Sequence, residues 1–252
     1  MELVKLLAVA RKASAHASRE ILEIYESEDF GVDMKSDDSP LTKVDKKAHE
    51  VICGYLESTG FPVLSEEGSH LPYEVRQKWD VLWIVDPLDG TKEFIKKNGE
   101  FTVNIALVKN GEPILGVVEA PVLDIQYFGI KDKGAWVCKD NGEIKLEALI
   151  ELNLEKSKLR VVASRSHLTT ETQQFLDELN EPEIVSMGSS LKFMMIAEKQ
   201  ADIYPRFAPT MEWDTAAAQA IINSLGGNVV DHENKPLIYN KENLLNPFFK
   251  VY

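Results

Sequence analysis

The sequence predicts an α+β fold, built as two α/β layers stacked through one chain. Three patterns carry that prediction. Two amphipathic helix patterns lie near the start, a run of β segments linked by tight turns follows, and strands and helices alternate beyond about residue 157.

The first helix is predicted over 2–26, where Leu3, Leu6, Leu7, Ala10, Ala13, Ala17, Ile21 and Ile24 recur at helical spacing. A short extended piece is expected near Phe30–Lys35. A second helix over 44–58 stops near Gly60. Phe61–Leu64 reads as a short strand delivering Ser65-Glu66-Glu67-Gly68, residues 72–78 as a short helix and 81–86 as a strand buried on both faces. Four β segments, 101–109, 113–121, 124–130 and 134–138, then form an antiparallel meander, its first turn marked by Asn110-Gly111. A polar stretch over 139–157 marks a boundary between an N-terminal unit, 1–150, and a C-terminal unit, 151–252. In the second unit we expect strands at 159–163, 183–186, 202–205 and 227–230. Helices are expected at 169–179, 189–199 and 213–224, with Thr169 and Ser189 as start signals and Gly226-Gly227 as a stop.

The chain has 252 residues, 44% of them apolar, enough for a sizeable core. No run approaches the roughly 20 apolar residues of a membrane span. The first twelve residues lack the basic start and cleavage site of a signal peptide. Cys53 and Cys138 offer neither a disulfide framework nor a metal spacing. A soluble cytoplasmic protein is expected. The net charge of −13 argues against nucleic-acid binding, which needs a basic surface. It does not exclude a small anionic substrate, because divalent cations reverse the local field.

The chemistry concentrates in Trp83-Ile84-Val85-Asp86-Pro87-Leu88-Asp89-Gly90-Thr91. An apolar strand brings two carboxylates to one turn. They repel unless a proton or a cation lies between them. Oxygen ligands alone suit a hard cation, Mg2+ before Zn2+, and a phosphate can bind beside it on free N–H groups. Asp-x-x-Asp-Gly also occurs in ordinary surface turns, although rarely after a strand buried on both faces. Three further segments place acids at element ends: Asp45 entering the second helix, Glu66-Glu67 after a strand, and Glu212-Trp213-Asp214-Thr215 opening a helix. Each has a plain structural reading, such as Asp214 facing a helix dipole or Glu66-Glu67 in a solvated loop. The four together point to metal-assisted phosphate chemistry.

The stretch 83–91 and Glu212-Trp213-Asp214-Thr215-Ala216-Ala217 resemble the two signatures of the inositol monophosphatase superfamily. Within it, Lys92-Glu93-Phe94-Ile95, Ser189-Ser190-Leu191-Lys192-Phe193 and Asp202-Ile203-Tyr204-Pro205-Arg206-Phe207 resemble the 3'(2'),5'-bisphosphate nucleotidases. The resemblance implies a layered αβαβα sugar-phosphatase fold, with an antiparallel first sheet and a smaller mixed second sheet. It implies a Mg2+-dependent, lithium-sensitive phosphatase with two or three ions per site. Glu66, Asp86, Asp89, Asp214 and the Leu88 carbonyl would ligate the metals. Thr91, paired with Asp45, would activate a water, while the Gly90 and Thr91 amides hold the scissile phosphate.

The same resemblance assigns Lys192, Arg206 and Ser189 to a second substrate phosphate and stacks His167 on adenine. Lys192 on a helix surface and Arg206 in a loop ion pair are the ordinary alternatives, and a lone His is more often structural. The expected reaction is hydrolysis of the 3'-phosphate of adenosine 3',5'-bisphosphate. The rivals are another phosphatase of the superfamily, acting on inositol or sugar phosphates, and a non-catalytic metal-binding relic.

Overall fold

The computed structural model describes residues 2–26, 33–34, 40–41, 43–69, 71–140, 142–163 and 168–252. Helix α1 (Leu3–Glu26) is followed by a short antiparallel pair, β1 (Asp33–Met34) and β2 (Pro40–Leu41), and by helix α2 (Lys43–Leu56). Strand β3 (Val63–Ser65), helix α3 (Tyr73–Arg76), strand β4 (Val81–Asp89) and helix α4 (Thr91–Ile95) come next. The meander runs through β5 (Thr102–Lys109), β6 (Glu112–Ala120), β7 (Ile125–Ile130), β8 (Gly134–Lys139) and β9 (Gly142–Lys145). The rest of the chain carries β10 (Arg160–Val162), α5 (Thr170–Asp177), β11 (Glu183–Val185), α6 (Leu191–Ala197), β12 (Tyr204–Arg206), α7 (Glu212–Ser224), β13 (Val229–Asp231) and β14 (Phe249–Val251).

Strands β3 to β9 form one seven-stranded sheet in chain order. Only the β3–β4 pair is parallel, and the others are antiparallel. In the second half, β10 and β11 pair in parallel and β12-β14-β13 antiparallel. A parallel bridge between Val161 and Ile203 joins the two ladders. The expected α+β layered fold, with a largely antiparallel first sheet and a smaller mixed second sheet, is borne out.

Alternation along β4 explains why it reads as continuously apolar. Trp83 and Val85 pack with Leu7, Ala13, Ile52 and Leu56 of α1 and α2 on one face. Leu82 and Ile84 pack on the other face with Phe193 of α6 and Ala217 and Ile221 of α7. Both faces are therefore dry. On the far side of the second sheet, Leu176 of α5 packs on Leu159, Val161 and Ile203. The order is α1 and α2, first sheet, α6 and α7, second sheet, α5.

The middle layer fixes the site, because α7 must lie close to β6 to bring its first turn to the end of β4. Small residues permit that approach. Ala216, Ala217, Ala218 and Ala220 are buried, and a Cβ built on Gly116 would lie 2.1 Å from the Ala217 carbonyl oxygen. Any side chain at 116 would push the helix off the sheet.

Several boundaries differ from expectation. Strand β4 continues to Asp89, with an irregular register between Asp86 and Asp89. Pro87 has no N–H for the ladder, and the Leu88 amide turns instead to Asp86 Oδ1 at 3.0 Å. Helix α6 starts at Leu191, so Ser189 is not its cap. Its cap position is Ser190, without a side-chain capping bond. Strand β9 falls in the polar stretch expected to be a boundary and is exposed throughout. The short helix α4 and the strand β14 have no counterpart in the sequence reading. The piece expected near Phe30–Lys35 is described only at Asp33–Met34. No helix of the described residues is long and apolar enough to cross a membrane.

Candidate active site

Strand β4 delivers Asp86 and Asp89, and the first turn of α7 delivers Asp214. One carboxylate oxygen from each lies within 4.8 Å of the others. Asp86 is buried. Asp214 is held by the Met211 amide, which donates to its Oδ2 at 2.8 Å. Glu66 follows β3, and its amide donates to the Val85 carbonyl at 3.1 Å, which sets it beside the same end of β4. Asp45 is buried in the first turn of α2.

The electrostatics report crowding. Burial, then Asp214, Glu67, Asp89 and Asp45, push the Glu66 carboxyl from 4.5 up to about 8. Burial and then Asp89 raise Asp214 to about 7, against an opposing pull from the Met211 amide, Arg206 and Lys192. Asp86 is raised well above the carboxylate range by burial first, then by Glu66, Asp89 and Asp214. Carboxylates this close resist ionisation together unless a cation lies among them. The donor set is all oxygen, which suits Mg2+, so the residues present fit the expected metal.

Asp89 is heavily hydrogen-bonded. Its Oδ2 accepts from the Ser190 amide at 2.7 Å, the Ser190 hydroxyl at 2.9 Å and the Ser189 hydroxyl. Ser190 is therefore a site residue that the sequence reading missed. Thr102 and Asn104, both buried on β5, stand behind it. Two polar residues with period-2 spacing at the start of an otherwise apolar strand were the available signal. Glu212 is also fully buried, but its carboxylate faces away from the cluster's chemistry. It accepts from the Asn240 amide at 2.6 Å, the Lys241 amide at 3.0 Å and the Lys241 ammonium at 2.7 Å, and so fastens the 240–241 loop.

Gly90 sits at φ 98°, a left-handed conformation that glycine adopts without steric cost. It turns the chain from β4 into α4, whose first residue is the half-buried Thr91. Leu88, between Asp86 and Asp89, is buried.

A small cavity of about 60 Å3 touches Asp89, Asp214, Ser189, Lys192 and Arg206. A larger one of about 400 Å3 shares Lys192, Tyr204 and Arg206 with it and extends to Thr172 and Phe207. Arg206 Nη2 donates to the Pro209 carbonyl at 3.3 Å. Its Nε is buried with no hydrogen-bond partner among the described residues. A desolvated cationic donor in that state is matched to an anion. His167 lies outside the described residues.

The profile of the inositol monophosphatase family matches residues 2–247. The chain belongs to that family. Among its relatives, "3'(2'),5'-bisphosphate nucleotidase CysQ" of Escherichia coli strain K12 is 47% identical over 240 residues, covering 94% of this chain and 95% of that protein. The Haemophilus influenzae protein of the same name is 33% identical over 251 residues, covering 98% and 91%. The solved structure of CysQ from Bacteroides thetaiotaomicron, described as a bacterial member of the inositol monophosphatase family, superposes with a TM-score of 0.86 at 46% identity and covers 98% and 96% of the two chains. Inositol monophosphatase-II from Staphylococcus aureus, with a TM-score of 0.79 and 22% identity, shares the fold. The expected membership, and the likeness to enzymes named bisphosphate nucleotidases, are borne out.

Proposed function

We propose that this inositol monophosphatase family member hydrolyses the 3'-phosphate of adenosine 3',5'-bisphosphate, giving AMP and inorganic phosphate. The observation that carries the reading is one cleft with two anion sites of different kinds. An acid cluster suited to cations lies at Asp86, Asp89 and Asp214. Beside it, Lys192 and Arg206 line both cavities. A monophosphate would use only the first site. The relatives named bisphosphate nucleotidase support the same choice.

Glu66, Asp86, Asp89, Asp214 and the Leu88 carbonyl would hold two or three Mg2+ ions. Bound there, the metal supplies charge neutralisation of the phosphoryl oxygens and a lowered pKa for an attacking water. The Gly90 and Thr91 amides hold the scissile phosphate. Thr91 orients the water and Asp45 receives its proton. The water oxygen bonds to phosphorus as the bond from phosphorus to the 3'-oxygen breaks, and the leaving oxygen takes a proton from solvent. Arg206 offers a buried N–H and Lys192 a point charge to the 5'-phosphate. The larger cavity would receive the nucleoside, and the family resemblance assigns His167 to stacking on adenine. The cellular role is cytoplasmic clearance of this by-product of sulfate activation, and lithium would inhibit it.

Phosphate release over a panel of adenosine 3',5'-bisphosphate, 3'-AMP, inositol 1-phosphate and fructose 1,6-bisphosphate, with Mg2+ and with chelator, tests the reading. It stands if the adenosine bisphosphate leads by at least roughly tenfold in kcat/KM, a margin of about 1.4 kcal/mol, and if chelator stops turnover. A lead for inositol 1-phosphate overturns the substrate, and metal-independent turnover overturns the mechanism.

A further inference from the structure

The loop before α6 makes a cluster of bonds that phosphate binding would not require. All the hydrogen bonds that the Asp89 carboxylate accepts among the described residues fall on Oδ2. Ser190 supplies its amide and its hydroxyl, and Ser189 its hydroxyl. The Ser189 hydroxyl also lies 2.9 Å from the Asp89 carbonyl oxygen and 2.8 Å from Thr102 Oγ1. Asn104 Nδ2 donates to Ser190 Oγ at 2.9 Å, so the Ser190 proton is free for an acceptor, with Asp89 Oδ2 at 2.9 Å and the Asp214 carbonyl at 3.1 Å. Ser190, Thr102 and Asn104 are each at most 1% exposed, so water cannot replace a lost partner there.

The geometry of Ser189 points the same way. Its φ is 51°, a left-handed conformation that a serine resists. Such strain persists where surrounding contacts fix it, and here the contacts all lead to Asp89 and to the strand behind it. A hydroxyl committed to Asp89 and Thr102 is not poised for a substrate phosphate.

We propose that Ser189 and Ser190 are positioning residues that aim the second oxygen of Asp89 at the cation site, rather than ligands of the substrate's second phosphate. This rests on the reading of Asp89 as a metal ligand. Hydrogen-bonded partners of metal ligands typically control affinity by roughly 10- to 100-fold.

The test uses Ser189→Ala and Ser190→Ala in the full chain. Mn2+ is titrated calorimetrically into substrate-free protein, and the Mg2+ concentration giving half-maximal phosphate release is measured on adenosine 3',5'-bisphosphate and on 3'-AMP. We expect cation affinity to fall by about tenfold or more in each variant. The Mg2+ requirement should rise equally on both substrates, with KM at saturating Mg2+ little changed. Melting in chelator reports folding. Ser189→Ala carries the test alone if Ser190→Ala does not fold. Unchanged cation affinity, or a loss confined to the bisphosphate, overturns the proposal while leaving the phosphatase reading intact. An unmutated protein that binds neither cation overturns the metal reading and this proposal with it.

Discussion

The amide of Ser190 lies 2.7 Å from Oδ2 of Asp89, joining positions 101 residues apart. Asp89 ends the strand that anchors the first sheet, and Ser190 leads into α6 beneath the second. The acid cluster is thus assembled by folding of the whole chain, with Asp214 arriving on α7 between the two sheets. Neither half of the chain presents the site alone.

Stability should depend on pH in a direction set by these acids. Glu66, ordinarily at 4.5, sits at about 8, and Asp214, ordinarily at 3.8, at about 7. The folded metal-free protein therefore holds these protons more tightly than the unfolded chain. Their contribution is complete below about pH 4 and is lost as pH rises through about 7 and 8. A tenfold change in proton affinity is about 1.4 kcal/mol, and about 1 kcal/mol moves Tm by roughly 2–4 °C in a chain of this size. In chelator, Tm should fall by several degrees between pH 6 and 8.5. Mg2+ should restore it more at 8.5 than at 6, because ionised ligands bind it. Glu66→Gln should flatten the slope in chelator. A Tm that rises over this window equally in both proteins contradicts the crowding.

Close packing at Gly116 predicts a second effect. A Cβ there would meet the Ala217 carbonyl at 2.1 Å, and neither backbone can yield without moving α7. Gly116→Ala should cost about 3 kcal/mol, the upper end for overpacking, or roughly 6–12 °C in Tm. Because α7 carries Asp214, kcat should fall as well in the protein that remains folded. A variant with native Tm and full turnover would show that α7 has room to shift.

Residues whose type alone sets their environment were legible in the sequence. The uninterrupted apolar run of β4 required burial on both faces, and two acids at its end required a counter-charge, so Asp86 and Asp89 stood out. Asp214 was legible as an acid at a helix start. The elements that escaped carry little local signal. Strand β9 is wholly exposed and short, and β14 spans three residues whose partners lie far away in sequence. Ser190 escaped because a serine before a helix reads first as a cap. Its true partner, Asp89, is fixed by the packing of α6 against the first sheet.

Water activation should reveal itself kinetically. Thr91 opens α4 and Asp45 lies in the first turn of α2. Thr91→Ala and Asp45→Asn should each lower kcat by roughly 100-fold or more, the usual scale of general acid–base catalysis. KM should change little, since neither holds the ground-state substrate. If the two act as one unit, the double variant should be no worse than the poorer single variant. Losses that add in free energy would mean that the residues work independently.

Second-phosphate recognition can be separated from metal chemistry by comparing substrates. Arg206 has a buried Nε with no partner among the described residues, and Lys192 lines both cavities. Removing a charged hydrogen-bond partner costs about 1.5–3 kcal/mol, which is roughly 10- to 150-fold. Lys192→Ala and Arg206→Ala should therefore lower kcat/KM for adenosine 3',5'-bisphosphate by about that factor. Turnover of 3'-AMP, which has no second phosphate to hold, should fall much less. Some loss on the monophosphate is expected, because both cations also lower the pKa of Asp214. That loss should disappear at higher Mg2+, whereas the loss on the bisphosphate should persist. Equal losses on both substrates at saturating Mg2+ would assign Lys192 and Arg206 to support of the acid cluster and withdraw the argument for a bisphosphate.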